Sequence, residues 1–213
     1  MALSVSEIFT SILGESTLAG RPAFFIRLAG CNLRCRWCDT PYAYEGGGSW
    51  EVEALLEAAR ASRQRLVLVT GGEPLLQEDT LLLLSRLGDA GHEVLLETNG
   101  SLPIRAVDRR VRRIVDVKCP GSGMDGAMHW PNLAEVTPSD EIKFVVGSRE
   151  DFEFAEAVIR RFGLAGGPAL LISPVFGEVP LAEAARWVVE SPLPLRLNLQ
   201  WHKIIWGPET RGV

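Results

Sequence analysis

The chain has 213 residues, 46% of them apolar and 23% charged, with a net charge of −5. Residues 1–213 suit one domain with a sizeable core, and the composition excludes a disordered or fibrous chain. The acidic balance gives no general basis for binding nucleic acid or anionic lipid. No run reaches the roughly 18 apolar residues needed to cross a bilayer, and the amino terminus lacks the basic and apolar segments of a signal peptide, so the expectation is a cytoplasmic protein.

In chain order, short runs rich in β-branched, aromatic or leucine residues cover 24–28, 66–69, 94–96, 114–117, 142–146, 169–172 and 195–199. Several read as strands buried on both faces. Helical periodicity falls between them. Val52, Leu55, Leu56 and Ala59 share one face, with Ser49 as a candidate N-cap. The leucines at 81–84 with Leu87 predict a helix ending near Gly88 or Gly91. Residues 102–112 fit neither pattern, and 121–137 read as loop. Ala155, Val158, Ile159 and Phe162 repeat the helical spacing, as do Leu181, Ala184, Ala185 and Val188. Strands alternating with helices imply a parallel sheet with right-handed crossovers, whose functional residues gather at the carboxyl ends of the strands. The distinctive motifs sit there: Gly30-Cys31, Thr70-Gly71-Gly72-Glu73-Pro74, Thr98-Asn99-Gly100, Asp116-Val117-Lys118, Ser173-Pro174 and Gln200-Trp201-His202-Lys203.

Three of the four cysteines, Cys31, Cys35 and Cys38, form a C-x3-C-x2-C array. Clustered thiols in a reducing compartment point to a metal rather than to disulfides, and soft sulfur ligands suit iron–sulfur or zinc. Three local thiolates leave one iron of a cubane open to an exogenous ligand. With Cys119 as a fourth ligand the site would instead be a closed zinc or electron-transfer centre. A lone cysteine after a strand is more often a small buried apolar residue, and Cys119 is read that way. His92 and His129 fit no motif and read as structural or surface residues.

The cysteine array with an aromatic before its last member, followed by Gly71-Gly72-Glu73 after the next strand, resembles the radical S-adenosylmethionine superfamily. The resemblance narrows with the segment Glu7 to Glu15, Arg27-Leu28-Ala29-Gly30-Cys31-Asn32-Leu33, Trp37-Cys38-Asp39-Thr40, Glu97-Thr98-Asn99-Gly100 and Gln200-Trp201-His202-Lys203. Together they are similar to the 7-carboxy-7-deazaguanine synthase family, from near the amino terminus to the last residues. The resemblance implies a shortened, partly open (β/α) barrel with a parallel sheet. It also implies a [4Fe–4S] cluster, S-adenosylmethionine and Mg2+ as cofactors, and an external one-electron donor of the flavodoxin or ferredoxin type. The reaction implied is radical conversion of 6-carboxy-5,6,7,8-tetrahydropterin to 7-carboxy-7-deazaguanine with loss of ammonia, on the route to 7-deazapurines such as queuosine. A homodimer is implied as well.

Carried over residue by residue, the resemblance puts the cluster on Cys31, Cys35 and Cys38. It puts S-adenosylmethionine against Trp37, Cys38, Asp39, Gly72, Lys118 and Ser173, and Mg2+ on Thr40. The pterin falls to Ile12, Leu13, Gly14, Arg27, Thr70 and Val213, where Arg27 offers a fork suited to a carboxylate. Two positions depart from the family pattern. Leu13 stands where glutamine is usual, and Asp116-Val117-Lys118 replaces the commoner Ser-Pro-Lys, so only Lys118 of that motif carries over. Other radical enzymes, such as glycyl-radical activases, would share the cysteines but act on a protein. A non-enzymatic iron–sulfur or zinc module would share only the metal.

Overall fold

The computed structural model describes residues 1–213. Its strands are β1 (Ala2–Ile12), β2 (Pro22–Leu28), β3 (Gly48–Glu51), β4 (Leu66–Gly71), β5 (Glu93–Thr98), β6 (Arg112–Val117), β7 (Glu141–Val146), β8 (Ala169–Pro174) and β9 (Leu195–Leu197). They form a single nine-stranded sheet in the order β3-β1-β2-β4-β5-β6-β7-β8-β9. Pairing from β2 to β9 is parallel throughout, while β1 runs antiparallel to both of its neighbours. The end strands β3 and β9 do not pair, so the expected partly open barrel is what the chain builds.

The helices are α1 (Val52–Ala61), α2 (Asp79–Asp89), α3 (Asn132–Glu135), α4 (Arg149–Phe162), α5 (Leu181–Glu190) and α6 (Trp201–Trp206). The buried stripe of α1 is the one its spacing predicts, while that of α4 holds Ala155, Val158 and Ile159 as expected, adds Asp151 and Phe152, and leaves Phe162 half-buried. Helix α4 is the best delimited. Ser148 Oγ accepts from the Asp151 amide at its start, and Gly163 at φ 63° ends it.

Three sequence expectations are corrected here. Ser49 does not cap α1: it lies in β3 opposite Ser4, and the capping position is Glu51. The stretch 121–137 is not wholly loop, since it holds α3, whose Leu133 joins the core with Met128 just before it. Strand β1 lies outside the seven runs because its pattern mixes serines, threonine and glutamate with apolar residues. A register shift between Val5 and Glu7 breaks its alternation. The unassigned stretch 102–112 has no helix and is held by the buried Ile104, Val107 and Val111.

Strand alternation sorts the sheet into two faces. Phe24, Ile26, Leu28, Val67, Val69, Val94, Leu96, Val115, Val117, Ile142, Phe144, Val146, Leu170 and Ile172 face the helices and make the main core. The alternate residues face the concave side. Low on that side Leu13, Ala23, Phe25, Leu66, Leu68, Leu95 and Ile114 form a smaller apolar floor. Toward the carboxyl ends of the strands the same face turns polar, with Arg27, Thr70, Glu97, Asp116, Lys118 and Lys143 around one cavity. The segment after β1 helps to close the open side, where Ser16 N donates to Asn198 Oδ1 (3.0 Å) and Thr17 to the Glu141 carboxylate. No helix is long and apolar enough to cross a membrane.

Candidate functional site

The loop after β2 carries the three cysteines over the cavity mouth, and all three line it, half-buried. Its position follows from the motifs around it. A Cβ on Gly72 would lie 2.2 Å from the Gly30 carbonyl oxygen and 2.7 Å from Cys31 Cβ, so only glycine lets the end of β4 pass beneath the loop. Glu73, fully buried, accepts hydrogen bonds from the amides of Leu75 and Asn99 and from Thr98 Oγ1, bolting the ends of β4 and β5 together. Burial pushes its carboxyl above the ordinary range, against those hydrogen bonds. Asn99 Nδ2 then donates to Asn32 Oδ1 (3.0 Å) in the cysteine loop. Across the mouth, Trp37 packs against Gly121 and Gly147, and Arg36 pairs with Glu178 at 2.8 Å.

A cubane takes its thiolates on separate irons, so its ligands surround a volume rather than meet at one point. The three cysteines line one cavity, and no three His, Cys, Asp or Glu side chains gather closely enough to hold a single ion. Burial raises the Cys35 thiol above its usual range, and Lys118 opposes the shift. Cys119 is on the other side of the sheet, wholly buried in the main core, and burial drives its thiol far up. It is the buried apolar residue the sequence suggests.

Deeper in, a row of polar side chains crosses neighbouring strands. Arg27 is in register with Glu7 on β1 and with Thr70 on β4, and Asp116 with Lys143 on β7. Arg27 Nε donates to Glu7 Oε1 at 2.7 Å, and its two terminal nitrogens donate to no protein group. Thr70 Oγ1 donates to Glu97 Oε2 at 3.2 Å. Lys143, 5% exposed, donates to Glu15 at 2.7 Å and to Glu97, with Asp116 3.7 Å away. Lys118 pairs with Asp116 at 2.8 Å. Burial alone would raise Asp116 and lower both lysines; the opposite charges outweigh it, so Asp116 stays below its ordinary value and Lys118 and Lys143 above theirs. Asp116 Oδ1 is buried without a hydrogen-bond partner, an acceptor still to be satisfied on the cavity wall.

Helix α6 roofs the far side. A Cβ on Gly14 would fall 2.0 Å from His202 Nδ1, so that glycine seats the imidazole, and Trp201 N donates to the Gly14 carbonyl. Lys203 Nζ reaches Asp39 at 2.6 Å, and Thr40 Oγ1 donates to the other oxygen of the same carboxylate at 3.0 Å. Burial would raise Asp39, but the Lys203 charge holds it well below the usual carboxylate range.

Ile12, Leu13, Gly14, Arg27, Trp37, Asp39, Thr40, Thr70, Gly72, Lys118 and Val213 all line this one cavity with the cysteines. Ser173 does not: it is buried and accepts from Asn198 Nδ2 at 2.8 Å. Glu15, Glu97 and Lys143, to which the sequence assigns no role, also line the cavity, as does His202 of the carboxyl-terminal motif. The signal for Lys143 was a lysine at an alternate position inside an apolar strand, and Glu15 and Glu97 stood inside the quoted motifs.

Residues 25–187 match the model of the radical SAM superfamily. A 7-carboxy-7-deazaguanine synthase from Koribacter versatilis is 43% identical over 99% of this chain and 100% of its own. The chain belongs to the 7-carboxy-7-deazaguanine synthase family. A second relative of that name, from Chlorobaculum tepidum, is 44% identical over 99% of this chain and 97% of its own. The crystal structure of QueE from Escherichia coli shares the fold at a TM-score of 0.77, with 24% identity over 94% of each chain. As a radical SAM enzyme, a member of the 7-carboxy-7-deazaguanine synthase family uses a [4Fe–4S] cluster and S-adenosylmethionine. The residues here fit both: three thiols lining one cavity, and beside them a wall with a free acceptor and a lysine.

Proposed function

We propose that this cavity converts 6-carboxy-5,6,7,8-tetrahydropterin to 7-carboxy-7-deazaguanine with loss of ammonia. The observation that carries the reading is Arg27, which faces the same cavity as the three cysteines with its terminal nitrogens free. A substrate carboxylate entering a partly dehydrated pocket needs such a partner, since burying it unpaired would be costly.

When bound, the cluster and S-adenosylmethionine supply hydrogen-atom abstraction. The protein's own residues hold and orient. Cys31, Cys35 and Cys38 ligate the cluster, while Trp37, Cys38, Asp39, Gly72 and Lys118 surround S-adenosylmethionine. Arg27 grips the pterin carboxylate end-on, and Thr70 donates beside it. The Glu97 carboxylate, fixed by Lys143 and Thr70, suits the donor-rich amino edge of the pterin ring. Leu13 packs in the floor under the ring, with Ile12, Gly14 and Val213 around it. Thr40 offers Mg2+ one hard oxygen, which suffices for an ion that keeps several waters. The whole chain, residues 1–213, works as one radical SAM domain in the cytoplasm, reduced by a flavodoxin- or ferredoxin-type donor. The exposed Trp201, Ile204, Ile205 and Trp206 of α6 support a homodimer.

The test is Arg27→Lys, which keeps the charge and loses the fork. Anaerobic titration is expected to show pterin affinity weakened by about 1.5–3 kcal/mol and S-adenosylmethionine affinity unchanged. Unchanged pterin affinity would make Arg27 structural.

A further inference from the structure

The charged groups around Arg27 do not end at Glu7. Tyr42 Oη donates to Glu7 Oε1 at 2.9 Å, the same oxygen that receives Arg27 Nε at 2.7 Å. Over the Tyr42 ring lies the Arg211 guanidinium, its Cζ 3.9 Å from the ring centroid, a cation–π contact. Arg211 belongs to the segment after α6, whose Thr210 Oγ1 is tied to the Trp206 carbonyl at 2.6 Å. That segment lines a smaller cavity beside the main one, and Arg27, Asp39, Thr40, His202 and Val213 face both.

From this geometry we infer that Tyr42 and Arg211 are positioning residues, which couple the seating of segment 207–213 to the presentation of Arg27 toward a substrate carboxylate. The inference rests on the reading of Arg27 given above. Glu7 occupies Nε, so the guanidinium can offer only its end-on pair of nitrogens, and Tyr42 fixes the oxygen that does this. Arg211 in turn covers the ring that places the Tyr42 hydroxyl. A carboxylate that locks Arg27 therefore steadies the segment, and by reciprocity a seated segment tightens the carboxylate.

Tyr42→Phe cuts the hydrogen bond and leaves the ring; Arg211→Ala removes the cation and leaves the hydroxyl. Amide hydrogen exchange of residues 207–213 is measured by mass spectrometry under anaerobic conditions. It is followed without ligand, with saturating 6-carboxytetrahydropterin, and with the same reduced pterin lacking its carboxylate. Affinities for both pterins and for S-adenosylmethionine are taken in parallel. In the wild type, the carboxylated pterin is expected to slow exchange of the segment about tenfold more than the other pterin. Each variant loses most of that difference even at saturation. Each binds the carboxylated pterin about tenfold more weakly, with affinity for the uncarboxylated pterin and S-adenosylmethionine unchanged, which a general loss of structure would not leave intact. The double variant is no worse than the weaker single one, because both cut one chain.

Wild-type protection of the segment in saturated Tyr42→Phe, or effects that add in the double variant, would overturn the coupling. Should Arg27→Lys leave affinity for the carboxylated pterin intact, the reading of Arg27 fails instead. The ligand-free segment then still judges the clamp: exchange no faster in Arg211→Ala than in the wild type refutes it.

Discussion

The two faces of the sheet are built from the same strands and look like different proteins. On the helix side Ile26, Leu28, Val69, Leu96, Val115, Val117 and Phe144 are buried without one polar partner among them. One residue along, on the concave side, stand Arg27, Thr70, Glu97, Asp116, Lys118 and Lys143. The helix side shows that these strands can be filled with apolar side chains. Burying a lysine among three carboxylates is therefore no requirement of the fold, and buried ion pairs are weak sources of net stability. The difference assigns stability to one face and chemistry to the other.

The largest effect that tests this division uses one residue type on both faces. Cys35→Ala is expected to abolish turnover and to leave anaerobically reconstituted protein without its cluster. Cys119→Ala retains full iron and sulfide and loses only about 1 kcal/mol of stability. Loss of the cluster in Cys119→Ala would refute the open three-thiolate site. Next in size is Lys143→Met, which strands Glu15 and Glu97 without their cation and should cost about 3–5 kcal/mol in denaturant unfolding. It should also weaken pterin binding per folded molecule. Ile26→Ala on the opposite face costs about 2–5 kcal/mol with pterin affinity unchanged; equal losses of affinity would erase the distinction between the faces.

The acid limb of stability separates the faces by titration. His202 is held below its ordinary pKa mainly by burial, so its contribution is complete above about pH 6.5 and declines as the pH falls through the lower folded value. Asp116, held low by Lys118 and Lys143 against burial, contributes fully above about pH 3.9 and is lost as the pH falls through its depressed value. Lys143, raised by Glu15 and Glu97 against burial, loses its part only as the pH climbs above about 10.4 through its raised value. Thermal melts across pH should show these steps, with the Asp116 step smaller in Lys143→Met. An unaltered step in that variant would remove Lys143 from the pair. The smallest effect is Thr40→Val, expected to lower Mg2+ stimulation of turnover while cluster content and stability, within about 0.5 kcal/mol, stay as they are. Equal stimulation in both proteins would take Thr40 out of the mechanism.

Much of this was legible in the sequence where chemistry and strand ends coincide. The parallel strands, the cysteine loop and the motif after β4 follow from alternating runs and short spacings. What stayed hidden depends on contacts distant in sequence. Strand β1 looks polar because one of its faces carries Glu7 toward Arg27, and Ser49 resembles a cap until it is seen paired with Ser4. Lys143 acquires meaning only beside Glu15, 128 residues away. Ser173 sits at a strand end like the other motifs, yet its hydroxyl turns to Asn198, a choice made by packing across β8 and β9.

Anaerobic turnover tests the assignment of the concave face most directly. Reconstituted protein with a one-electron reductant, S-adenosylmethionine, Mg2+ and 6-carboxy-5,6,7,8-tetrahydropterin should yield 7-carboxy-7-deazaguanine and ammonium in equal amounts, with no product from Cys35→Ala. Cleavage of S-adenosylmethionine under reduction with the pterin left untouched would contradict the account.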